Sequence, residues 1–101
     1  MWILQGDAGD AEGLIFRIPS GTIKTVGRAS RADFIVDAAL VSRIHCRLTA
    51  SDDRIDVEDL KSTNGTFVND QRIERGHVGD GDRLRVGRAE LKVRWAATLG
   101  I

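Results

Sequence analysis

Short segments with alternating apolar and polar residues recur along this chain, and they constrain its fold more than any other feature. Residues 14–18 alternate, and so do Leu91, Val93 and Trp95 within residues 89–97, which have no helical periodicity. Turn-forming residues such as Pro19-Ser20-Gly21 and Gly79-Asp80-Gly81 separate the segments. Many short strands with regular turns predict a β-sandwich or a β-barrel.

The alternation also places individual strands. It predicts strands at residues 2–5, 14–18, 22–26, 34–36, 44–50, 54–60, 66–68, 71–73, 84–86 and 91–95. Residues 6–13 are acidic and rich in glycine, so we expect a loop or hairpin turn there. In the segment 44–50, alternation predicts that Cys46 and Leu48 face one side, with His45 and Arg47 on the other.

Size and charge limit the possible functions. The 101 residues suit a single domain, and 15 basic residues balance 15 acidic residues. A nucleic-acid-binding domain usually has a basic excess, so direct nucleic-acid binding is not expected. The chain has no signal-peptide pattern and no apolar run of membrane-spanning length. With Cys46 as the single cysteine, an intracellular location is expected, either in the cytoplasm or in the nucleus.

Polar residues at three predicted loops form a candidate binding site. They are Gly27-Arg28, the segment from Ser42 to His45, and the segment 62–66, and we expect these loops to converge at one end of a sandwich. The guanidinium of Arg28 offers a donor fork that suits phosphate oxygens. Ser42 and Thr63 add hydroxyl donors. A donor-rich set of this kind suits a dianionic phosphoryl group and requires no metal or cofactor.

Four motifs in a fixed order resemble the signature of the forkhead-associated (FHA) domain family. They are Gly27-Arg28, Ser42-x-x-His45, the segment 59–69 (DLKSTNGTFVN), and the segment 81–87 (GDRLRVG). Each motif alone would be weak evidence, but their joint order and spacing are specific. The resemblance implies an all-β, eleven-stranded antiparallel β-sandwich of the FHA/SMAD-like type, with the binding loops at one end. Residues 1–101 would form a single FHA domain with its motif core at 27–87, either complete or a fragment of a larger protein.

The resemblance also implies a role for each matching residue. Arg28, Ser42 and Thr63 would bind the phosphate, and Arg43 would add its backbone N–H or its charge. Asn64 would bind the peptide backbone. Structural support of the site would come from Gly27, His45 and Gly65. Leu40, in a short apolar loop, would favour an apolar or permissive preference for the residue three after the phosphothreonine.

The function implied by the resemblance is recognition of phosphothreonine peptides in signalling. The partner would be a phosphothreonine-containing protein, or a phosphorylated segment of the same polypeptide. The alternative is a phosphorylation-independent interaction domain with the same fold. At the turn Asn69-Asp70 the family often has Asn-Gly, so the turn type stays open.

Other chemistries are poorly supported by the sequence. Ser42 and His45 could act as nucleophile and base only across an irregular turn, because residues three apart on a strand face opposite sides. We therefore expect no enzymatic activity. His45, His77 and Cys46 are one ligand short of a structural zinc site. Five further arginines are interpreted as solvated surface charges: Arg31, Arg47, Arg54, Arg72 and Arg83.

Overall fold

The computed structural model of this chain describes residues 1–97, which form eleven β-strands. The strands are β1 (Trp2–Gly9), β2 (Ile15–Ile18), β3 (Ile23–Gly27), β4 (Phe34–Ile35), β5 (Cys46–Ala50), β6 (Ile55–Asp59), β7 (Thr66–Val68), β8 (Gln71–Ile73), β9 (Arg75–Val78), β10 (Arg83–Val86) and β11 (Ala89–Trp95). None of the described residues forms a helix long and apolar enough to cross a bilayer.

The strands form two sheets that pack face to face. One has six strands in the order β2-β1-β11-β10-β7-β8, and the other has five in the order β4-β3-β5-β6-β9. The pairings are antiparallel except between β3 and β4, which run parallel. This arrangement confirms the predicted all-β sandwich and its strand number.

The core lies between the two sheets and is built from the alternating apolar residues. Leu48 of β5 and Val57 of β6 are cross-strand partners and are both buried. On the other sheet, Leu84 and Leu91 pair across β10 and β11 and are fully buried. Each large apolar side chain removed from water contributes roughly 1.5–3 kcal/mol. The period-two pattern therefore supplies the apolar surface that holds the sheets together.

Three local predictions differ from the structure. Strand β1 continues to Gly9, with an irregularity in register between Gly6 and Ala8, where a loop was predicted. Strand β9 was not predicted, because Val78 is its single fully buried residue and gives little alternation. Strand β5 begins at Cys46, two residues later than predicted, and His45 is buried like Cys46, although the predicted alternation places the two on opposite faces.

The turn between β7 and β8 resolves the open question about its type. Asn69 has φ 48° and Asp70 has φ 68°, so both residues adopt the left-handed conformation. Two consecutive positive φ values define a type I′ hairpin turn, whose twist matches that of the flanking strands. Asp70 therefore takes the conformation that glycine would adopt more easily.

Strand pairing brings the candidate binding loops to one end of the sandwich. Val26 at the end of β3 pairs with Cys46 at the start of β5, and Cys46 pairs with Asp59 at the end of β6. On the other sheet, Thr66 at the start of β7 pairs with Val86 at the end of β10. Loops β3–β4, β4–β5 and β6–β7 all leave the sheets at these positions.

Candidate functional site

The first side of the site is the tight junction between Gly27-Arg28 and the segment before β5. The N–H of Arg28 donates to the carbonyl of Ser42 at 2.9 Å, and the N–H of Ala29 donates to the carbonyl of Arg43 at 3.1 Å. A Cβ atom on residue 27 would lie 2.0 Å from the carbonyl oxygen of Arg43. Glycine is therefore required at position 27 for the two segments to approach this closely.

The guanidinium of Arg28 is fixed at one end and open at the other. Its Nε donates a 3.0 Å hydrogen bond to the carbonyl of Val41, while the residue as a whole is exposed. This bond orients the side chain along the β4–β5 loop. The terminal Nη groups remain available to donate to a phosphate through a charge-assisted, bidentate contact.

His45 joins two of the candidate loops from within the protein. The backbone N–H of Ser42 donates to Nδ1 of His45 at 3.1 Å, and Nε2 lies 2.8 Å from the carbonyl of Gly65. Because Nδ1 accepts a hydrogen bond, the neutral imidazole must carry its hydrogen on Nε2 and donate it to Gly65. Burial lowers the pKa of His45, against the opposing effects of the Gly65 carbonyl and the Asp59 carboxylate. The imidazole is thus a neutral crosslink between the loops.

The side chain of Ser42 connects directly to the β6–β7 loop. Its Oγ accepts a 3.1 Å hydrogen bond from the backbone N–H of Thr63, and its own hydroxyl hydrogen can still be donated to a ligand. Both nitrogens of His45 are bonded to backbone groups and not to this Oγ. The geometry therefore lacks the hydroxyl–imidazole hydrogen bond of an activated serine nucleophile.

Asp59, at the end of β6, stabilises the conformation of the β6–β7 loop through its carboxylate. Its carboxylate accepts hydrogen bonds from the hydroxyls of Ser62 at 2.5 Å and Thr66 at 2.7 Å, and from the N–H of Ser62 at 3.2 Å. The Ser62 hydroxyl in turn accepts from the N–H of Gly65 at 3.0 Å. Burial raises the pKa of Asp59, but these hydrogen bonds outweigh it and lower the pKa overall. From the sequence alone, Asp59 belongs to a motif but has no assigned role.

Asn64 is anchored by one of its amide hydrogens. Its Nδ2 donates to the carbonyl of Leu40 at 3.0 Å, so the second amide hydrogen and Oδ1 can pair with a peptide backbone. Leu40 is 37% exposed and lies beside this amide. Gly87, at the β10–β11 turn, is close enough that a Cβ there would lie 2.6 Å from the Leu40 carbonyl oxygen. The β4–β5, β6–β7 and β10–β11 loops therefore meet around Asn64.

The structure brings together most of the residues singled out from the sequence. Hydrogen bonds connect the β4–β5 loop to the β3–β4 and β6–β7 loops, and they involve Arg28, Ser42, His45, Thr63, Asn64 and Gly65. Arg43 takes part through its carbonyl, and its exposed side chain lies at the same end. Cys46 is fully buried, which raises the pKa of its thiol to about 12. His77 lies apart, on strand β9.

The chain belongs to the FHA domain family, whose model matches residues 24–87. It is 34% identical over 74 residues to the ABC transporter ATP-binding/permease protein Rv1747 of Mycobacterium tuberculosis, a match covering 73% of this chain. The structure of the FhaA FHA domain complexed with the intracellular domain of Rv3910 superposes with a TM-score of 0.82 at 33% identity, covering 93% of this chain and 100% of that domain. A structure from a study of phosphothreonine-dependent FHA domain interactions gives a TM-score of 0.84 at 32% identity, covering 96% and 98% of the two chains.

The curated relatives are much longer than this chain. The match covers 8% of Rv1747 and, for the full-length FhaA of Mycobacterium tuberculosis, 16% of that protein. The similarity therefore concerns the FHA domain and not the remaining parts of those proteins.

Proposed function

We propose that this domain recognises phosphothreonine in a partner protein. The observation that carries the proposal is the arrangement around Ser42. The Ser42 carbonyl accepts from the backbone N–H of Arg28, and the Ser42 Oγ accepts from the backbone N–H of Thr63, while the Arg28 guanidinium is held by the carbonyl of the preceding residue, Val41. The donors converge on one exposed end of the sandwich, while the nearby carboxylate of Asp59 is occupied by internal hydrogen bonds. Such a surface favours a dianionic phosphate over a neutral hydroxyl.

Each binding residue has a distinct part in this proposal. Arg28, Ser42 and Thr63 donate to the phosphate oxygens, and Arg43 adds positive charge at the rim. Asn64 pairs with the peptide backbone through its free amide atoms. Hydrogen bonds to charged groups contribute roughly 1.5–3 kcal/mol each. Ordering the peptide offsets part of this free energy. We therefore expect a dissociation constant near the micromolar range, which corresponds to a binding free energy of about 8 kcal/mol.

Gly27, Gly65 and His45 support the site without touching the ligand in this proposal. Gly27 permits the close approach of two backbone segments, and His45 ties Ser42 to Gly65. Leu40, half-exposed beside Asn64, would contact a ligand residue beyond the phosphothreonine and favour an apolar side chain there.

The partner is a phosphorylated protein or a phosphorylated segment of the same polypeptide. Two similar solved structures support a protein partner: one comes from a study of phosphothreonine-dependent FHA domain interactions, and the other is an FHA domain complexed with the intracellular domain of Rv3910. We place the interaction inside the cell, where kinases modify threonine. Recruitment and not catalysis is the activity proposed, since the Ser42 hydroxyl and the His45 imidazole are not paired.

Fluorescence-polarisation binding tests the proposal with peptide libraries in three forms: phosphothreonine, phosphoserine and unmodified threonine. Selective binding of the phosphothreonine form is expected, with at least about a tenfold loss in Arg28→Ala, because one charged hydrogen-bond donor is removed. Arg31→Ala, an exposed arginine on the same loop, is the matched control and should bind as the wild type does. Failure of the folded protein to bind any phosphorylated library would favour the phosphorylation-independent alternative.

A further inference from the structure

Two arginines flank a phenylalanine on the outer face of the six-stranded sheet, next to the β6–β7 loop. Phe67 of β7 pairs with Arg72 of β8 on one side and with Arg85 of β10 on the other. Their neighbours Thr66 and Leu84 point into the core, so these three side chains point outward. We name Arg72, Phe67 and Arg85 the arginine–phenylalanine strip.

The strip packs directly against the proposed peptide-binding loop. A Cβ on Gly65 would lie 2.8 Å from Nε of Arg72 and 3.1 Å from the ring of Phe67, so the guanidinium lies over this glycine. The guanidinium of Arg85 lies 3.8 Å above the centre of the Phe67 ring and donates to the carbonyl of Gly87 at 3.1 Å. The strip therefore continues the surface that begins at Asn64.

The positive charge of the strip is not neutralised by ion pairs within residues 1–97. The salt bridges in this part of the chain involve Arg47, Arg54, Arg75 and Arg83. Among residues 1–97, no carboxylate oxygen lies within 4.0 Å of the guanidinium nitrogens of Arg72 or Arg85, although Glu90 is the cross-strand partner of Arg85. In a chain of zero net charge, two unpaired arginines beside a binding loop form a local anion-attracting surface.

We propose that the arginine–phenylalanine strip binds an anionic side chain of the same phosphopeptide, either a carboxylate or a second phosphate. The inference rests on the proposed function and deepens it, because it adds a specificity determinant outside the phosphate site. The guanidinium of Arg72 makes the principal contact and that of Arg85 the second, while Phe67 supplies the surface on which Arg85 is held.

The distance between the proposed phosphate site and the arginine–phenylalanine strip limits which ligand residue can reach the strip. Gly65 follows Thr63 by two residues, which corresponds to at most about 7 Å of chain. Adjacent strands are about 4.8 Å apart, so the strip spans roughly 10 Å from β8 to β10. An extended peptide advances about 3.3 Å per residue. The anionic side chain is therefore expected about two to four residues from the phosphothreonine.

Phosphothreonine peptides that differ at one flanking position test this inference by fluorescence polarisation. Glutamate, phosphoserine or alanine is placed at each position from the second to the fourth residue on either side of the phosphothreonine. We expect glutamate to improve affinity about fivefold over alanine at a position on one side, the upper range for an exposed ion pair. Phosphoserine carries more charge and should improve affinity further at the same position.

Charge-removing variants assign the preference to the strip. In Arg72→Gln the affinities for the glutamate and alanine peptides should differ by less than about twofold, because the ion pair between Arg72 and the ligand glutamate is lost. Arg85→Gln should reduce the same ratio in part. Arg94→Gln removes an exposed arginine from the same sheet at its opposite end and should keep the full ratio. Raising the salt concentration should lower the wild-type ratio, since exposed charges are screened.

The outcomes separate the two proposals. Equal affinity for the glutamate and alanine phosphopeptides, or an acidic preference that survives in Arg72→Gln, would overturn the role of the strip and leave phosphothreonine recognition intact. A wild-type protein that is folded but binds none of these phosphopeptides would overturn both proposals.

Discussion

The backbone N–H of Ser42 donates a 3.1 Å hydrogen bond to Nδ1 of His45, three residues further along the chain. On a regular strand, residues three apart would lie on opposite faces, and this contact could not form. It exists because β5 begins only at Cys46, which leaves the preceding segment irregular. The bond makes the shape of the proposed phosphate site depend on the protonation state of a buried imidazole.

The free energy of unfolding should rise with pH through the range in which His45 loses its proton. Burial lowers the pKa of folded His45 below the unfolded value, so the unfolded chain binds more protons between these two pKa values. Stability is fully present above about pH 6.5 and falls as the pH drops below it, by at most about 1.4 kcal/mol per pH unit. A second proton, on Nδ1, would also face the N–H of Ser42. Urea unfolding from about pH 5 to about pH 8 measures the slope, which spans the titration range of histidine.

The control for this pH dependence is His77→Gln, which removes the exposed histidine of β9. The rise attributed to His45 should persist in this variant, because both hydrogen bonds of the His45 imidazole are unchanged. A wild-type free energy of unfolding that is flat across this range would show that His45 is not held neutral by the fold.

Replacement of His45 by alanine should destabilise the domain by about 2–4 kcal/mol. The substitution leaves the Ser42 N–H without a partner and the Gly65 carbonyl with only the 3.5 Å hydrogen bond from the Gly87 N–H. It also opens a cavity at a fully buried position. Phosphopeptide binding should weaken as a consequence of the lost order in both loops. Chemical denaturation gives the stability, and binding is then measured where the variant is still folded. Full stability combined with loss of binding would show that His45 contacts the ligand and is not mainly structural.

Alanine at position 27 should cost about 3 kcal/mol or more in the free energy of unfolding, as expected when backbone atoms must move in a packed region. Its Cβ would lie 2.0 Å from the carbonyl oxygen of Arg43. The matched control is Gly79→Ala, whose Cβ would meet Asp82 Oδ2 at an ordinary 3.9 Å. Thermal and urea unfolding of both variants compare the two costs. A Gly27→Ala protein as stable as Gly79→Ala would contradict the close approach of these segments.

Asp59→Asn should weaken both stability and phosphopeptide binding, with a stability loss of about 1–3 kcal/mol for the disrupted acceptor. The amide cannot accept all of the hydrogen bonds that the carboxylate accepts from Ser62 and Thr66. Because these bonds lower the pKa of Asp59, its contribution is present above the unfolded value and is lost as the pH falls below it. The variant should therefore lose less stability in acid than the wild type.

Asp56→Asn is the matched control for this carboxylate, since Asp56 is exposed on the same strand and pairs with Arg54 at 3.0 Å. An exposed ion pair contributes about 0–1 kcal/mol, so this variant should remain close to the wild type in stability and in binding. Equal effects of the two substitutions on stability and binding would contradict the assigned role of Asp59 in stabilising the β6–β7 loop.

Much of the fold is encoded in local alternation. The apolar residues of β5, β6, β10 and β11 become the core because side chains on a strand alternate between two faces. The same rule failed for His45, which lies before the first regular residue of β5 and is buried by the loops around it. It also missed β9, whose pairing with β6 gives it strand structure although its own residues alternate weakly.

The sequence by itself determined the family, the all-β architecture and the residues proposed to bind phosphate, because these depend on local alternation and on motif order. The tertiary structure decided which of these residues touch. It gave Asp59 its supporting role, placed Leu40 beside Asn64, and brought Arg72 against Gly65 through the pairing of β7 with β8. A surface arginine has no local signal of its neighbours, since cross-strand contacts depend on the register between segments distant in the chain.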